Sequence, residues 1–70
     1  MGSRTYLCYI VSSISDAEIY TVTNRSAMKA AEKHGYHEPG ETVTIRTHSG
    51  QILSRVKWDS DSNRYINADP

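Results

Sequence analysis

Residues 41–58 read ETVTIRTHSGQILSRVKW, and this stretch decides the fold because its apolar and polar side chains alternate with the period of a β-strand. Ser49-Gly50 in its middle is typical of a tight turn, so we predict a hairpin with a two-residue connection. In that register one face is apolar, and the other places Thr42 opposite Lys57, Thr44 opposite Arg55, Arg46 opposite Leu53, and His48 opposite Gln51. The apolar face carries Val43, Ile45, Ile52, Val56 and Trp58, with Glu41 opposite Trp58.

The segments on either side of this hairpin extend the sheet and add one helix. Residues 5–11 (TYLCYIV) and 18–23 (EIYTVT) are rich in β-branched and aromatic side chains, which favours two strands joined as a hairpin. Ala27, Ala30 and Ala31 recur at helical spacing, and small side chains let a helix lie close to a sheet. We expect Thr23 or Asn24 to cap this helix and Gly35 to end it in a left-handed conformation.

Together these segments predict a small α+β domain in the order β-β-α-β-β, with the helix packed on one face of an antiparallel sheet. Residues 64–67 (RYIN) add a short fifth strand. Residues 1–4 are interpreted as a disordered N-terminus or residues added by cloning, residues 5–67 as one domain, and residues 68–70 as a tail. The apolar runs are too short for a membrane span, and with no export signal we expect a cytoplasmic location.

Metal and catalytic motifs are incomplete in this sequence. Residues 59–63 (DSDSN) open like a calcium loop, but Arg64 stands where glycine is needed and Pro70 where a bidentate glutamate is needed. His34, His37 and Glu38 lack a second ligand pair at a spacing that would complete a zinc site. Cys8, the single cysteine, is expected to be a small core residue and not a nucleophile. We therefore predict no catalytic residue, no cofactor and no metal, and a protein that is not an enzyme.

The face of the sheet opposite the helix is the candidate binding surface, because cations lie there beside an apolar first strand. An alternative is that these cations only keep an exposed sheet soluble. Net charge is zero, so any binding preference must come from local arrangement and not from the overall field. The candidate partner-binding residues are Tyr9, Arg46, His48, Arg55, Lys57 and Arg64, with Asp59 and Asp61 as a secondary acidic candidate.

The strand and helix order resembles that of the small phage-encoded anti-CRISPR proteins of type I systems. The features that carry it are the two N-terminal strands, the alanine-bearing helix and the closing hairpin from Val43 to Trp58, which together span most of the chain. The resemblance implies an inhibitor that acts in a bacterial host cell by docking on a subunit of the surveillance complex. Such a protein would cover the DNA path with its sheet, or imitate phosphate with carboxylates such as Asp59, Asp61 and Asp69.

Two other classes of function stay open at this point. A small nucleic-acid-binding module could stack bases on tyrosines beside the sheet cations, although a neutral chain is unusual for phosphate binding. A structural or assembly domain could instead bury the apolar first strand in a homodimer, so the chain is expected to be either a monomer or a homodimer. The tyrosines considered for stacking are Tyr6, Tyr9, Tyr20 and Tyr65.

Overall fold

The computed structural model describes residues 4–14 and 16–68. Expectations for residues 1–3, Asp69 and Pro70 lie outside the described residues. Within the described residues the chain forms, in order, β1 (Tyr6–Val11), β2 (Glu18–Val22), α1 (Ala27–His34), β3 (Thr42–Arg46), β4 (Ile52–Asp59) and β5 (Arg64–Asn67). None of the helical residues in these ranges forms a helix long and apolar enough to cross a membrane.

The five strands form one antiparallel sheet in the order β2-β1-β3-β4-β5, with α1 across one face. This confirms the predicted α+β fold and the short fifth strand. Only the step from β2 to β3 crosses over another strand, and α1 lies within that connection. The β2–β3 connection therefore carries α1 over one face of the sheet, where the helix contacts β1, β3, β4 and β5.

The core lies between α1 and the sheet. Cys8, Ile10, Val43, Ile45 and Val56 point from the central strands toward the helix, and each is at most 3% exposed. Three alanines of α1, Ala27, Ala30 and Ala31, and Tyr65 of β5 complete the buried cluster. Because alanine side chains are short, the helix backbone can approach the sheet closely.

The ends of α1 differ from the prediction. Ser26 caps the helix by accepting a hydrogen bond from the Lys29 N–H (3.3 Å), and Asn24 holds Ser26 through its own side-chain oxygen (2.7 Å). Gly35 follows the helix with φ −71° and ψ 161°, so the expected left-handed stop is wrong. Glycine is required there for space, since a Cβ at Gly35 would lie 2.0 Å from the Tyr65 hydroxyl oxygen.

The β3–β4 hairpin keeps the predicted register over Thr42 to Ile45, which pair with Lys57, Val56, Arg55 and Ser54. The connection itself is longer than predicted. Thr47 accepts from the Gly50 N–H (3.0 Å) and donates to Gln51 (2.9 Å), while Gly50 has φ +103°. This is the pattern of a three-residue loop with a glycine bulge.

A second irregularity, between Ile45 and Arg46, pairs Arg46 with Ile52 instead of Leu53. The prediction that Ile52 is a core residue is therefore wrong, because its side chain is 53% exposed and Leu53 packs against the core instead. One extra residue in a strand reverses the direction of the side chain that follows it.

Glu41 is the buried carboxylate that links α1, β3 and β5, and its side chain is 1% exposed. Its two oxygens accept hydrogen bonds from the backbone N–H of Tyr36 (2.7 Å) and His37 (3.2 Å), and from the Tyr65 hydroxyl. Trp58 packs beside this network, edge-on to Tyr65 and His37 with ring centroids 5.0 and 5.1 Å apart. Trp58 is half-buried at the margin of the core and does not lie at its centre.

Candidate binding face

The side of the sheet that faces away from α1 is called the open face, and no helix covers it within the described ranges 4–14 and 16–68. Strand alternation sends every second side chain of each strand to this face. On the β1 and β2 side it carries the apolar half, Leu7, Tyr9, Val11 and Ile19. On the β3, β4 and β5 side it carries the cationic half, Arg46, Arg55, Lys57 and Arg64.

The register brings the two halves into direct contact. One row of neighbouring side chains runs Ile19, Tyr9, Thr44 and Arg55 across four strands. Arg46 stands beside Leu7 in the next row, and Lys57 stands between Thr42 and Ile66 in the row on the other side. The expectation that Arg46, Arg55 and Lys57 share a face beside the first strand is met by this register.

The open face leaves large apolar side chains in water, two of them in the apolar half and one, Ile52, on β4. Val11, Ile19 and Ile52 are 48%, 58% and 53% exposed, and all three lie on the open face. Ile14, in the β1–β2 loop, is 74% exposed. Single exposed aliphatic residues are ordinary on protein surfaces, but several on one sheet face form a patch that a partner can bury.

Arg46 contacts both a tyrosine ring and the β3–β4 turn. Its guanidinium carbon lies 5.1 Å from the centroid of the Tyr9 ring, a cation–π geometry. Its Nε and Nη2 atoms donate to the Gly50 carbonyl oxygen at 3.3 and 3.2 Å, so the turn holds the arginine in place. Tyr9 and Arg46 therefore form a fixed boundary between the apolar and cationic halves.

His48 lies in the β3–β4 turn and not on a strand, because β3 ends at Arg46. Its Nε2 atom is 2.9 Å from the Thr5 hydroxyl oxygen, which ties the turn to the start of β1. The sequence prediction placed His48 on the strand face opposite Gln51, and the longer turn is the reason for the difference. His48 stands at the end of the open face and not among Arg55 and Lys57.

The two acidic candidates separate in the structure. Asp59 pairs with Arg64 at the end of the β4–β5 hairpin and shares the open face with the cations. Ser62 Oγ donates to Asp59 Oδ2 at 2.5 Å, and this hydrogen bond holds the pKa of Asp59 below its ordinary value. Asp61 is exposed in the turn that follows. The acidic group is thus divided between the sheet face and the turn.

The cysteine and the two histidines that were considered as a nucleophile or as metal ligands each pack against other side chains. Cys8 is fully buried, and burial raises the pKa of its thiol from 9.0 to about 11, so the reactive thiolate is scarce at neutral pH. His34 stacks on Tyr20 with ring centroids 4.9 Å apart, whereas His37 meets Trp58 and Tyr65. Among the described residues, no three His, Cys, Asp or Glu side chains come together as a metal site would require.

Comparison with known proteins yields no match: no family model, no curated protein and no solved structure is similar to this chain. The geometry of the open face and the chemistry of its side chains are therefore the basis for assigning a function.

Proposed function

We propose that this chain is a non-enzymatic binding domain that docks on a protein partner through the open face. The observation that carries the proposal is the juxtaposition of exposed Val11, Ile19 and Ile52 with four cations on one rigid sheet. Apolar area supplies the free energy of association, and the flanking charges set orientation and choice of partner. Side chains on paired strands lose less conformational entropy on docking than side chains in loops.

The arrangement also defines the partner. The expected partner has an apolar ridge that lies along β1 and β2 of this chain. Carboxylates on one side of that ridge meet Arg55, Lys57 and Arg64. Tyr9, held by Arg46, lies at the centre of the contact, where aromatic and arginine side chains contribute most to binding. The exposed loop carboxylate of Asp61 lies outside this contact and contributes little.

The narrower form of the proposal is an anti-CRISPR inhibitor that docks on a subunit of a type I surveillance complex and prevents DNA binding. Support for it comes from the strand and helix order and the small size, together with a charged sheet face that no helix covers among the described residues. In that role the protein acts stoichiometrically in the cytoplasm of a bacterial host. Its open face covers a site on the complex that DNA would otherwise occupy.

A nucleic-acid-binding module is the second candidate, and the grouping of four cations on the open face favours it despite the neutral net charge. Its stacking platform is small, however. Tyr65 is 5% exposed, and Tyr6 and Tyr20 pack against the core on the helix side, which leaves Tyr9 on the open face. Sheet proteins that bind single strands ordinarily stack two or three bases.

Charge reversal on the open face tests the proposal. We expect Arg55→Glu to weaken binding to purified type I surveillance complexes by about tenfold or more, measured by surface plasmon resonance, because it opposes the partner's carboxylates. The matched control is Arg25→Glu, which makes the same change at an exposed position before α1 and should leave affinity unchanged. Competition with target DNA on the same sensor surface reports whether the chain blocks the DNA path.

Three outcomes would contradict the proposal or part of it. If Asp59→Asn combined with Asp61→Asn abolishes binding while Arg55→Glu keeps it, the acidic end imitates phosphate and the interface assignment is wrong. If none of the complexes binds but single-stranded oligonucleotides do, with affinity lost in Arg55→Glu, the chain is a nucleic-acid module. If equilibrium sedimentation shows a tight homodimer that Arg55→Glu dissociates, the open face serves assembly.

A further inference from the structure

A groove separate from the open face lies between the end of β2 and α1. It has a volume of about 380 Å³ and is lined from the strand side by residues 21–24 and from the helix side by Lys29, Ala30, Lys33 and His34. This volume is within the range of pockets that bind small molecules. It is on the helix side of the sheet, so a ligand there would not meet Arg55 or Lys57.

The groove is lined by cationic side chains and by no acidic one among the described residues. Lys29 and Lys33 stand four residues apart on α1, and side chains at this spacing are neighbours on a helix surface. Like charges at this spacing destabilise a helix slightly, and a bound anion would relieve that repulsion.

The other lining groups add hydrogen-bond donors and an apolar floor. His34 is oriented by stacking on Tyr20 at 4.9 Å, and the Tyr20 hydroxyl is in turn held by Glu18. Thr23 and Asn24 offer a hydroxyl and an amide on the strand side, while Val22 and Ala30 provide apolar surface. Two ammonium groups with several neutral donors suit a dianion with three oxygens better than a single carboxylate.

We propose that this groove binds a phosphate monoester, with Lys29 and Lys33 on the phosphate oxygens and the organic part against Val22 and Ala30. The groove exceeds the size of inorganic phosphate, so the ester's organic group occupies the remaining volume. A small phosphorylated metabolite and the terminal phosphate of a nucleic acid share this chemistry. The proposal does not depend on the function proposed for the open face.

The test is a titration of the ¹⁵N-labelled chain followed by NMR, at constant ionic strength maintained with chloride. The probes are inorganic phosphate, a nucleoside monophosphate and a 5′-phosphorylated oligonucleotide, each compared with its unphosphorylated counterpart where one exists. We expect shift changes confined to residues 21–24 and 29–34. Lys29→Gln combined with Lys33→Gln should weaken binding by about tenfold or more, because hydrogen bonds to charged groups are the stronger ones.

The matched control is Arg55→Gln combined with Lys57→Gln, which removes the same charge from the open face and should leave the titration unchanged. Glutamine is a good helix former, so the double lysine variant is expected to fold normally. Tighter binding of the nucleoside monophosphate than of the oligonucleotide supports a metabolite site, and the reverse supports a strand-end site. Shift changes spread over all cations, or equal losses in both double variants, would overturn the proposal.

Discussion

Glu41 places a carboxylate inside the core, where a charged group is costly unless hydrogen bonds compensate it. Three donors converge on it, namely two backbone N–H groups of the α1–β3 connection and the Tyr65 hydroxyl. A buried donor that loses its acceptor costs more free energy than the hydrogen bond contributed. The carboxylate thus fixes the path of the chain between α1 and β3.

We therefore expect Glu41→Ala to lower the free energy of unfolding by about 3 kcal/mol, since it removes the acceptor of the Tyr36 N–H and of the Tyr65 hydroxyl and opens a cavity. The His37 N–H keeps the Tyr65 oxygen as an acceptor at 3.1 Å. Urea denaturation followed by tryptophan fluorescence measures this, because Trp58 lies beside the network. The control is Glu32→Ala on the exposed side of α1, which should change stability by less than about 0.5 kcal/mol. Equal effects of the two variants would show that the network contributes no stability.

Cys8 makes stability depend on alkaline pH. Burial raises its thiol pKa from 9.0 to about 11, so below pH 9 both the folded and unfolded chains hold the proton. Between pH 9 and 11 the unfolded chain loses the proton while the folded chain keeps it, and stability falls by at most about 1.4 kcal/mol per pH unit. Tyr65, whose pKa is raised by burial and by its bond to Glu41, acts in the same direction at higher pH.

The expected result is that Cys8→Val, which fills similar space without a titrating group, loses less stability between pH 8 and 10 than the natural chain. Urea midpoints at the two pH values, under reducing conditions, give the comparison. Tyr65 is present in both proteins, so its contribution cancels. Parallel declines in the two proteins would mean that the thiol titrates in the folded state as it does in the unfolded chain.

At the scale of elements, the contact between the end of α1 and β5 depends on the absence of a side chain at Gly35. Its backbone conformation is open to any residue, but a Cβ there would lie 2.0 Å from the Tyr65 hydroxyl oxygen and 2.5 Å from the Ala31 carbonyl oxygen. We expect Gly35→Ala to cost about 2 kcal/mol or more by overpacking. A double-mutant cycle with Tyr65→Phe, measured by urea denaturation, tests the cause.

Removing the hydroxyl relieves the closest of the three contacts, so part of the cost of Gly35→Ala should disappear in the Tyr65→Phe background. The contacts with the Ala31 carbonyl oxygen (2.5 Å) and with the ring carbon Cζ of residue 65 (2.9 Å) remain, and the recovery is therefore partial. Additive effects of the two substitutions would exclude the hydroxyl clash as the origin of the destabilisation.

The β3–β4 hairpin shows how far alternation reaches as a predictor. The pairing of Val43 with Val56 and of Thr44 with Arg55 follows from a period of two, and it correctly places Arg55 and Lys57 on one face. The turn could not be read in the same way, because Ser49-Gly50 fits loops of two or three central residues. The irregularity at Arg46 carries no pattern of its own, and it moved Ile52 onto the open face.

Two other features were partly visible in the sequence. Glu41 falls on the apolar side of β3 by parity, opposite Trp58, and a charge at such a position signals a buried network whose donors the sequence does not name. Ile19 belongs to the open face by its parity in β2, but its exposure depends on β2 being an edge strand. Strand order is set by packing between distant segments, which alternation within one strand does not encode.

For the whole molecule, the exposed aliphatic side chains of the open face favour association. The chain has no net charge, and one face of its sheet leaves aliphatic side chains in water next to cations. Natural sheets usually protect such a face with charge or cover it. Here the β3 to β5 side of the open face is charged while the β1 and β2 side is not, so under the proposed function the apolar half is the part that a partner would cover.

Replacing Val11 and Ile19 with threonine separates these roles, because threonine keeps β-branching and strand preference but removes apolar area. Both side chains are about half exposed, so we expect Val11→Thr combined with Ile19→Thr to leave the melting temperature nearly unchanged. Affinity for the partner of the open face should fall by about tenfold, since a few tens of Å² of apolar contact per residue are lost. The control is Thr21→Ser, on the same strand and face as Ile19, which alters little apolar area.

Sedimentation velocity of the free chain completes the test. A monomer before and after substitution assigns the lost affinity to binding of a different protein, whereas a dimer that dissociates on substitution assigns the apolar half to self-association. A large drop in melting temperature would instead show that Val11 and Ile19 stabilise the fold, and would remove them from the binding surface.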